Sequence, residues 1–405
     1  LYCRRSLKAE VPEEQHPLFY ALFLLCLAGS LGVVVTGDAF NIFVFLEISS
    51  LSTYALIAQG AYRDKRALTA SYTYLIMGTV GATFFVIGIG YLYIATGTLN
   101  LADLSERIAE QRDNKTVRAA FAFILVGMGL KAAMYPLHLW LPNAYTFAPS
   151  PVSAFLAGTA TKMALYVLLR FMFTVFKPEF LSELHILETI ILPLALLAMF
   201  VASIKACFQS DIKRMLAYSS VAQLGYMLLG ITFMNHLGLT ASIIHLFNHG
   251  LTKATMFMGV GCFLLSTGST SYDKLGGLGK SMPWTSAAMV IGGLSLVGIP
   301  GTAGFLSKWL LVQAAFDKGW WILAFLIVVS SLLAIAYIWR MIEILYLMPL
   351  AKNTKANEAH ASMVIPLFIM AIGCIYFGFD TRITYWASET AAYGLLSGQT
   401  GLKVD

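Results

Sequence analysis

Apolar residues gather in long runs along this chain, and charged or Pro- and Gly-rich stretches separate one run from the next. Several runs exceed the roughly 18 residues that mark a helix able to cross a bilayer. The pattern therefore predicts an all-α polytopic membrane protein with about eleven transmembrane helices. The predicted helices lie near residues 17–36, 40–59, 71–96, 117–142, 151–175, 184–207, 212–232, 236–266, 285–314, 320–348 and 361–380.

Two further segments are too polar to cross a membrane. In residues 99–118, Leu101, Leu104 and Ile108 recur at helical spacing among acidic and basic side chains. This pattern predicts an amphipathic helix that lies at the interface or in a loop. Residues 383–397 carry several polar side chains, and we expect them to lie at the surface.

The composition supports the membrane class. Charged residues make up 12% of the 405 residues, whereas soluble domains carry about 25%. The five cysteines show no CxxC or Cys/His metal spacing, so we expect no disulfide, metal or other cofactor. The net charge of +6 sits mainly between the apolar runs and indicates orientation, not nucleic-acid binding. No phosphate-loop spacing or nucleophile triad supports enzyme chemistry of the soluble type.

Lys and Arg residues favour one side of the predicted topology, which we expect to be cytoplasmic. The basic residues on that side are Arg4, Arg5, Lys8, Arg63, Lys65, Arg66, Lys213, Arg214, Lys274, Lys280, Lys352 and Lys355.

The sequence contains weak internal repeats in a common order. The segment at 88–97 matches that at 259–268, 37–58 resembles 210–230, and 129–141 resembles 298–310. Together they indicate two halves of about five helices each, and an odd helix number inverts the second half in the membrane. We expect one membrane domain over 1–405, with halves at 17–175 and 184–348. The last helix and C-terminal tail follow at 361–405.

Ionisable groups inside the apolar runs are the candidate functional residues. Each costs about 2.5–3.5 kcal/mol to insert, so each requires a partner, a hydrated cavity or a function. Three of them recur at every fourth position of one helix and lie within about 80° of one face. The candidates are Glu47, Lys131, Lys162, His245, His249, Lys253 and Lys308.

Two prolines predict broken helices beside these groups. Pro136 cannot donate a hydrogen bond to the carbonyl of Ala132, and Pro300 cannot donate one to Leu296. Freed carbonyls in a membrane need water or polar side chains, so both breaks should line a hydrated space. Movement of Glu47 relative to Lys131 would then bind or release a proton, which is the behaviour of a relay.

Structural alternatives apply to the lysines. Lys131 and Glu47 can be a static ion pair, and Lys162 or Lys253 can be a structural or snorkelling residue.

The histidines and helix-terminal aspartates also have simpler interpretations. His245 and His249 have the spacing of metal ligands, but no third ligand lies nearby in the sequence. His138 fits either an interfacial loop or the relay. Asp38 and Asp211 precede helices, where a capping role is the simplest and a proton entrance is the alternative.

These residues stand in motifs that resemble the antiporter-like subunits of Mrp-type cation/proton antiporters, respiratory complex I and membrane-bound hydrogenases. The resemblance covers nearly the whole chain, and the TGDAFN motif is most similar to that of the D subunits of the Mrp type. The motifs are TGDAFNIFVFLEI (36–48), GLKAAMYPLHLWLPNAYTFAPSPVSAFLAG (129–158), SDIKRMLAYSSVAQLGYM (210–227), HLFNHGLTKATMF (245–257) and GIPGTAGFLSKW (298–309).

The resemblance implies a fold of fourteen helices, of which we expect the first three to be absent here, with two inverted five-helix repeats. It implies that Glu47 and Lys131 form the pair of the first half-channel and that Lys162 connects the halves. It further places His245 and Lys253 on a central polar axis and Lys308 toward the exit. A complex I branch has glutamate where Lys308 stands, so the lysine disfavours that branch.

The predicted function is proton translocation within a multisubunit Na⁺/H⁺ antiporter of a bacterial cytoplasmic membrane. The expected partners are other subunits, lipid, protons and monovalent cations: Na⁺, and also K⁺ or Li⁺. The alternative is a proton-pumping subunit of a redox-driven complex, either an NADH-quinone oxidoreductase or a membrane-bound hydrogenase, with the redox chemistry in other chains.

Overall fold

The apolar runs fold as helices, because a helix satisfies its backbone hydrogen bonds within its own segment and so tolerates hydrocarbon. The computed structural model describes residues 1–350 and 356–397. Within these ranges there is no β-strand, only two isolated bridges between extended residues. Lys352 and Lys355 of the basic side, and residues 398–405 of the predicted tail, lie outside the described residues.

Nineteen α-helices follow one another along the described chain. The first ten are α1 (Tyr2–Glu10), α2 (His16–Val35), α3 (Ala39–Ala58), α4 (Arg66–Thr96), α5 (Leu101–Ala109), α6 (Lys115–Ala132), α7 (Trp140–Phe147), α8 (Ser150–Leu169), α9 (Lys177–Leu184) and α10 (Leu192–Cys207). The others are α11 (Ile212–Thr232), α12 (His236–Thr267), α13 (Tyr272–Leu275), α14 (Leu278–Ser281), α15 (Pro283–Val297), α16 (Ala303–Asp317), α17 (Trp321–Tyr346), α18 (Ala361–Phe379) and α19 (Arg382–Ser397).

The prediction of an all-α polytopic membrane protein is confirmed. In the described residues, eight helical segments are long and apolar enough to cross a membrane. The other predicted segments are α12, which carries histidines and a lysine, and the two interrupted helices α6–α7 and α15–α16. Pro136 and Pro300 lie in the non-helical connections of the two interrupted helices.

The amphipathic segment forms the helix α5, and its Leu101, Leu104 and Ile108 are buried. The tail forms the helix α19, in which only Ser388 and Ala392 are buried. Ala392 of α19 joins an apolar cluster, and the ring of Tyr393 lies 3.7 Å from that of His236 at the start of α12. The sequence pattern does not predict this helix because polar residues interrupt its apolar ones.

Helices α3 and α11 begin in the same way. Asp38 accepts a hydrogen bond from the amide of Asn41 at 2.8 Å, and Asp211 accepts one from Arg214 at 3.0 Å. Each aspartate also pairs in an antiparallel bridge, Asp38 with Asn100 and Asp211 with Ser271. Five spans, α3, α4, α6–α7, α8 and α10, separate the two caps. An odd number of crossings places them on opposite sides, which we name the Asp38 face and the Asp211 face.

Candidate functional site

Lys131 and Glu47 form a buried ion pair between α6 and α3. The Nζ of Lys131 lies 2.9 Å from Oε1 of Glu47 and donates a 2.6 Å hydrogen bond to Oγ of Ser50. The lysine side chain is 5% exposed and the glutamate side chain 24%, so only the glutamate side chain is partly accessible. This is the one ion pair of the described residues that has a buried member.

The ion pair stands beside the break between α6 and α7. Helix α6 ends at Ala132, and Ala133 takes the left-handed conformation at φ 60°. The indole of Trp140 at the start of α7 donates a 2.9 Å hydrogen bond to the carbonyl of Leu130, so one carbonyl near the break has a polar partner. The same indole stacks on Tyr74 at 4.0 Å, which anchors the break against α4.

Lys253 and Lys162 are buried, and neither ammonium has a carboxylate in hydrogen-bond contact within the described chain. Lys253 donates to the carbonyl of Leu216 at 2.8 Å and to the hydroxyl of Ser219, both on α11. Lys162 donates to the carbonyl of Ala157, five residues earlier in its own helix. Neutral oxygens accept hydrogen bonds from either an ammonium or an amine, so these contacts are compatible with both protonation states.

His245 and His249 lie one turn apart on α12 with parallel rings. The ring centroids are 6.0 Å apart and the ring planes differ by 3°. His245 engages both ring nitrogens, Nδ1 with Ser307 at 2.8 Å and Nε2 with Gln223 at 3.0 Å. The nitrogens of His249 have no hydrogen-bond partner among the described residues, although they are buried.

Lys308 lies after the break between α15 and α16 and reaches back to it. Its Nζ donates to the carbonyls of Leu296 at 3.1 Å and Val297 at 2.8 Å, at the C-terminal end of α15. The ammonium also lies 4.7 Å from the ring centre of Tyr226. The negative end of the α15 dipole and the aromatic face therefore stabilise the charge of Lys308 without a carboxylate.

The buried lysines and histidines of α8, α12 and α16 interact with one another electrostatically. His249 is within electrostatic range of Lys162, Lys253 and Lys308, and His245 is within range of Lys162 and Lys308. Like charges this close disfavour the state in which every group is protonated at once. A charge on one of these groups therefore disfavours a second charge on its neighbours.

The remaining predicted residues lie at the edge of this arrangement. His138 is 2% exposed, stacks on Tyr135 with ring centres 5.1 Å apart, and has no hydrogen bond to the groups above. Asp38 and Asp211 cap their helices at opposite faces. Pro136 and Pro300 lie in the non-helical connections of the two interrupted helices, and neither forms a hydrogen bond with Lys131 or Glu47.

Several polar residues of the site are absent from the sequence-based prediction. Ser50, Ser219, Gln223 and Ser307 are neutral, so they do not stand out in an apolar run, although all lie within or next to the quoted motifs. Lys213, which the sequence assigns to the basic side of the topology, is 2% exposed and donates to the carbonyl of Ala148 at 2.9 Å. Its position at a helix start conceals the burial, because sequence does not show which loop covers it.

Metal coordination finds no geometric support in the described part of the chain. No group of three or more His, Cys, Asp or Glu side chains lies within reach of a common ion there. Both ring nitrogens of His245 are engaged by Ser307 and Gln223, and its ring is stacked parallel to that of His249.

Known proteins resemble this chain over most of its length. The family described as NADH:quinone oxidoreductase/Mrp antiporter, TM matches residues 36–334. The N subunit of the NADH-quinone oxidoreductase of Desulforudis audaxviator is 41% identical over 391 residues, which cover 93% of this chain and 77% of the relative. The D subunit of the Na⁺/H⁺ antiporter of Alkalihalophilus pseudofirmus is 32% identical over 386 residues, covering 95% of this chain and 77% of the relative.

A solved structure agrees with the sequence comparisons. A chain of the Mrp complex from Dietzia sp. superposes with a TM-score of 0.87 at 26% identity, covering 98% of this chain and 82% of that one. The matched family spans both interrupted helices and every buried ionisable residue described above. The chain belongs to the NADH:quinone oxidoreductase/Mrp antiporter transmembrane family.

Proposed function

We propose that this chain is the proton-translocating subunit of a multisubunit monovalent cation/proton antiporter that exchanges Na⁺ for H⁺. The observation that carries the proposal is the Lys131–Glu47 pair at a helix break, in the same bundle as buried lysines that bond to neutral oxygens of the described chain. A static structural core would pair each buried charge, because an unpaired one is costly. Groups that alternate between charged and neutral forms do not need a permanent counterion.

In the proposed relay, protonation of Glu47 changes the partners of the Lys131 ammonium. When Glu47 takes up a proton, the ammonium of Lys131 loses its counterion and retains only the hydroxyl of Ser50. The lysine then gives up its proton toward the second half, where repulsion passes charge from group to group. Lys162 connects the halves, His245, His249 and Lys253 form the central axis, and Lys308 gates the far end.

Everted vesicles that contain the full-length protein with its partner subunits test the proposal. A pH gradient is formed, Na⁺, K⁺ or Li⁺ is added, and gradient dissipation is recorded for wild type and Lys131→Ala. Lys318→Ala is the matched control, because Lys318 is a lysine outside the site that lies over the ring of Trp320. Cation-driven dissipation that is lost in Lys131→Ala alone supports the proposal, and dissipation unchanged by the mutation contradicts it.

A redox-driven pump is the second candidate, because a relative named for NADH-quinone oxidoreductase is 41% identical. In that case cations would not dissipate the gradient, whereas an added electron donor such as NADH would form one. The Lys131→Ala variant would then lose proton pumping with the electron transfer of the other subunits still measurable.

The chain is an integral multi-pass membrane protein whose structural relative belongs to a multisubunit complex. The proposed partners are the other subunits and lipid. The proposed ions are protons and Na⁺, with K⁺ or Li⁺ as further cations. The membrane is the bacterial cytoplasmic membrane. The Asp211 face, which carries Arg63 and Arg66, is the cytoplasmic side by the excess of basic residues.

A further inference from the structure

Lys213, at the start of α11, bonds to the first half of the fold. Its Nζ donates to the carbonyl of Ala148 at 2.9 Å and lies 3.4 Å from the hydroxyl oxygen of Ser153. Ala148 is the C-cap of α7, and Ser153 lies in the first turn of α8. The ammonium therefore stands at the negative end of the α7 dipole and joins a helix of the second half to the interrupted helix of the first.

The opposite end of α7 is fixed to the helix that carries the ion pair. The indole of Trp140, the first residue of α7, donates to the carbonyl of Leu130 at 2.9 Å, and Leu130 directly precedes Lys131 in α6. Helix α7 has eight residues, which span about 12 Å. Because this short helix has a polar contact at each end, a displacement of Ala148 is transmitted to the backbone beside Lys131.

The surroundings of Lys213 differ from those of the buried lysines in the relay. Its side chain lines a polar cavity of about 310 Å³ at the Asp211 face. A polar cavity of this size accommodates water. Carboxylate and guanidinium groups of other elements line the same cavity: Glu10, Asp64, Asp211, Arg63 and Arg66. Water, nearby carboxylates and the α7 dipole all favour the charged form of a lysine.

We propose that Lys213 is a positioning residue, a permanent ammonium that couples α11 of the second half to the Lys131–Glu47 pair through α7. The inference rests on the proposed proton translocation and deepens it, because it names a contact through which the second half adjusts the ion pair of the first. It also separates Lys213 from the relay lysines. A positioning residue must keep its charge, whereas a relay residue must release its proton.

Hydrogen exchange in α7 tests the attachment without transport. Lys213→Met removes the ammonium but keeps an unbranched side chain. The hydroxyl of Ser153, 3.2 Å from the carbonyl oxygen of Ala148, remains available to that carbonyl, so the variant should assemble. We expect amide exchange of residues 140–148 in the purified complex to be roughly 10-fold faster in Lys213→Met, the effect of losing one charge-assisted hydrogen bond, and unchanged in Lys213→Arg. Lys274→Met, at an exposed lysine of α13, is the control. Wild-type exchange in Lys213→Met overturns the attachment.

The rate of proton translocation tests what the attachment does. In everted vesicles with the partner subunits, Lys213→Met should slow translocation roughly 10- to 100-fold, because movement of α7 misplaces Lys131 relative to Glu47. Lys213→Arg keeps the charge and the hydrogen-bond donors, and the adjoining cavity has room for the longer side chain, so it should recover most of the rate.

Two results of the translocation assay would overturn the positioning role. If Lys213→Arg is as slow as Lys213→Met, the lysine must release its proton and is a relay residue. If Lys213→Met translocates at the wild-type rate although exchange in α7 is faster, the contact is only structural. The exchange measurement does not require transport, so it separates failure of this contact from failure of the proposed function.

A double-mutant cycle tests whether the coupling runs through α7. Trp140→Phe removes the indole donor at the other end of α7 and keeps an aromatic ring beside Tyr74. If the two contacts act in series, the variant with both Lys213→Met and Trp140→Phe should be no slower than the slower single variant. Rate losses that multiply would show that the two contacts act independently, and would overturn the route through α7.

Discussion

The ammonium of Lys131 and the carboxylate of Glu47 are 2.9 Å apart in space and 84 residues apart in the chain. Their environments differ, because the lysine is buried whereas about a quarter of the glutamate side chain is exposed. Glu47 is therefore partly accessible from outside the bundle, whereas Lys131 is enclosed within it.

This asymmetry predicts unequal costs of the two single deletions. Glu47→Ala leaves a buried, unpaired ammonium and should lower the free energy of unfolding by about 3–5 kcal/mol. Lys131→Ala leaves a carboxylate that is partly exposed, so its cost should be smaller. The double variant should be more stable than Glu47→Ala. Thermal unfolding of the purified complex measures the order of the three stabilities. Equal losses of stability in the two single variants would refute the prediction.

Lys131→Arg should assemble and yet fail to translocate protons. The guanidinium retains its proton at every accessible pH and can still pair with Glu47 and Ser50. Vesicle assays with Lys131→Arg beside Lys318→Arg separate a general effect of arginine from an effect at the site. Translocation by Lys131→Arg at the wild-type rate would show that Lys131 supplies charge but no proton.

Lys308→Glu should lower both transport and stability. A carboxylate at this position would face the carbonyl oxygens of Leu296 and Val297, which now accept hydrogen bonds from the ammonium. Repulsion at the end of the α15 dipole adds to the loss of the titrating amine. Lys318→Glu, with the same charge change outside the site, should affect the thermal midpoint far less. Similar thermal midpoints for both variants would argue against a stabilising interaction of Lys308 with the end of α15.

Gly304→Ala should disrupt the second helix break. A β-carbon on Gly304 would overlap the carbonyl oxygen of Ser295, so α15 and α16 would have to separate. We expect a loss of about 1–3 kcal/mol and reduced transport. In Gly90→Ala, by contrast, the added carbon meets nothing within 4 Å, and the helix should be stabilised by about 0.5–1 kcal/mol. Thermal unfolding of the two variants measures these changes in stability. A Gly304→Ala variant as stable as the wild type would exclude close packing at this break.

Single residues illustrate how far sequence reasoning extends in this chain. The lysines and histidines are recognisable because a charge in an apolar run is exceptional. Ser307 and Gln223 are not, because a serine or glutamine in such a run has many uses and only its neighbours select one. The burial of Lys213 is not evident from the sequence for the same reason, since burial depends on residues distant in the chain.

The sequence by itself determined the membrane class, the positions of most helices and the identity of the intramembrane ionisable groups, because hydrophobic periodicity and insertion cost are local properties. Only the tertiary structure decided which groups meet. It brought Lys131 to Glu47, His245 to Gln223 and Ser307, and Lys308 to the end of α15. Such contacts join helices far apart in the chain, and the packing that selects them depends on the shapes of all the helices between them.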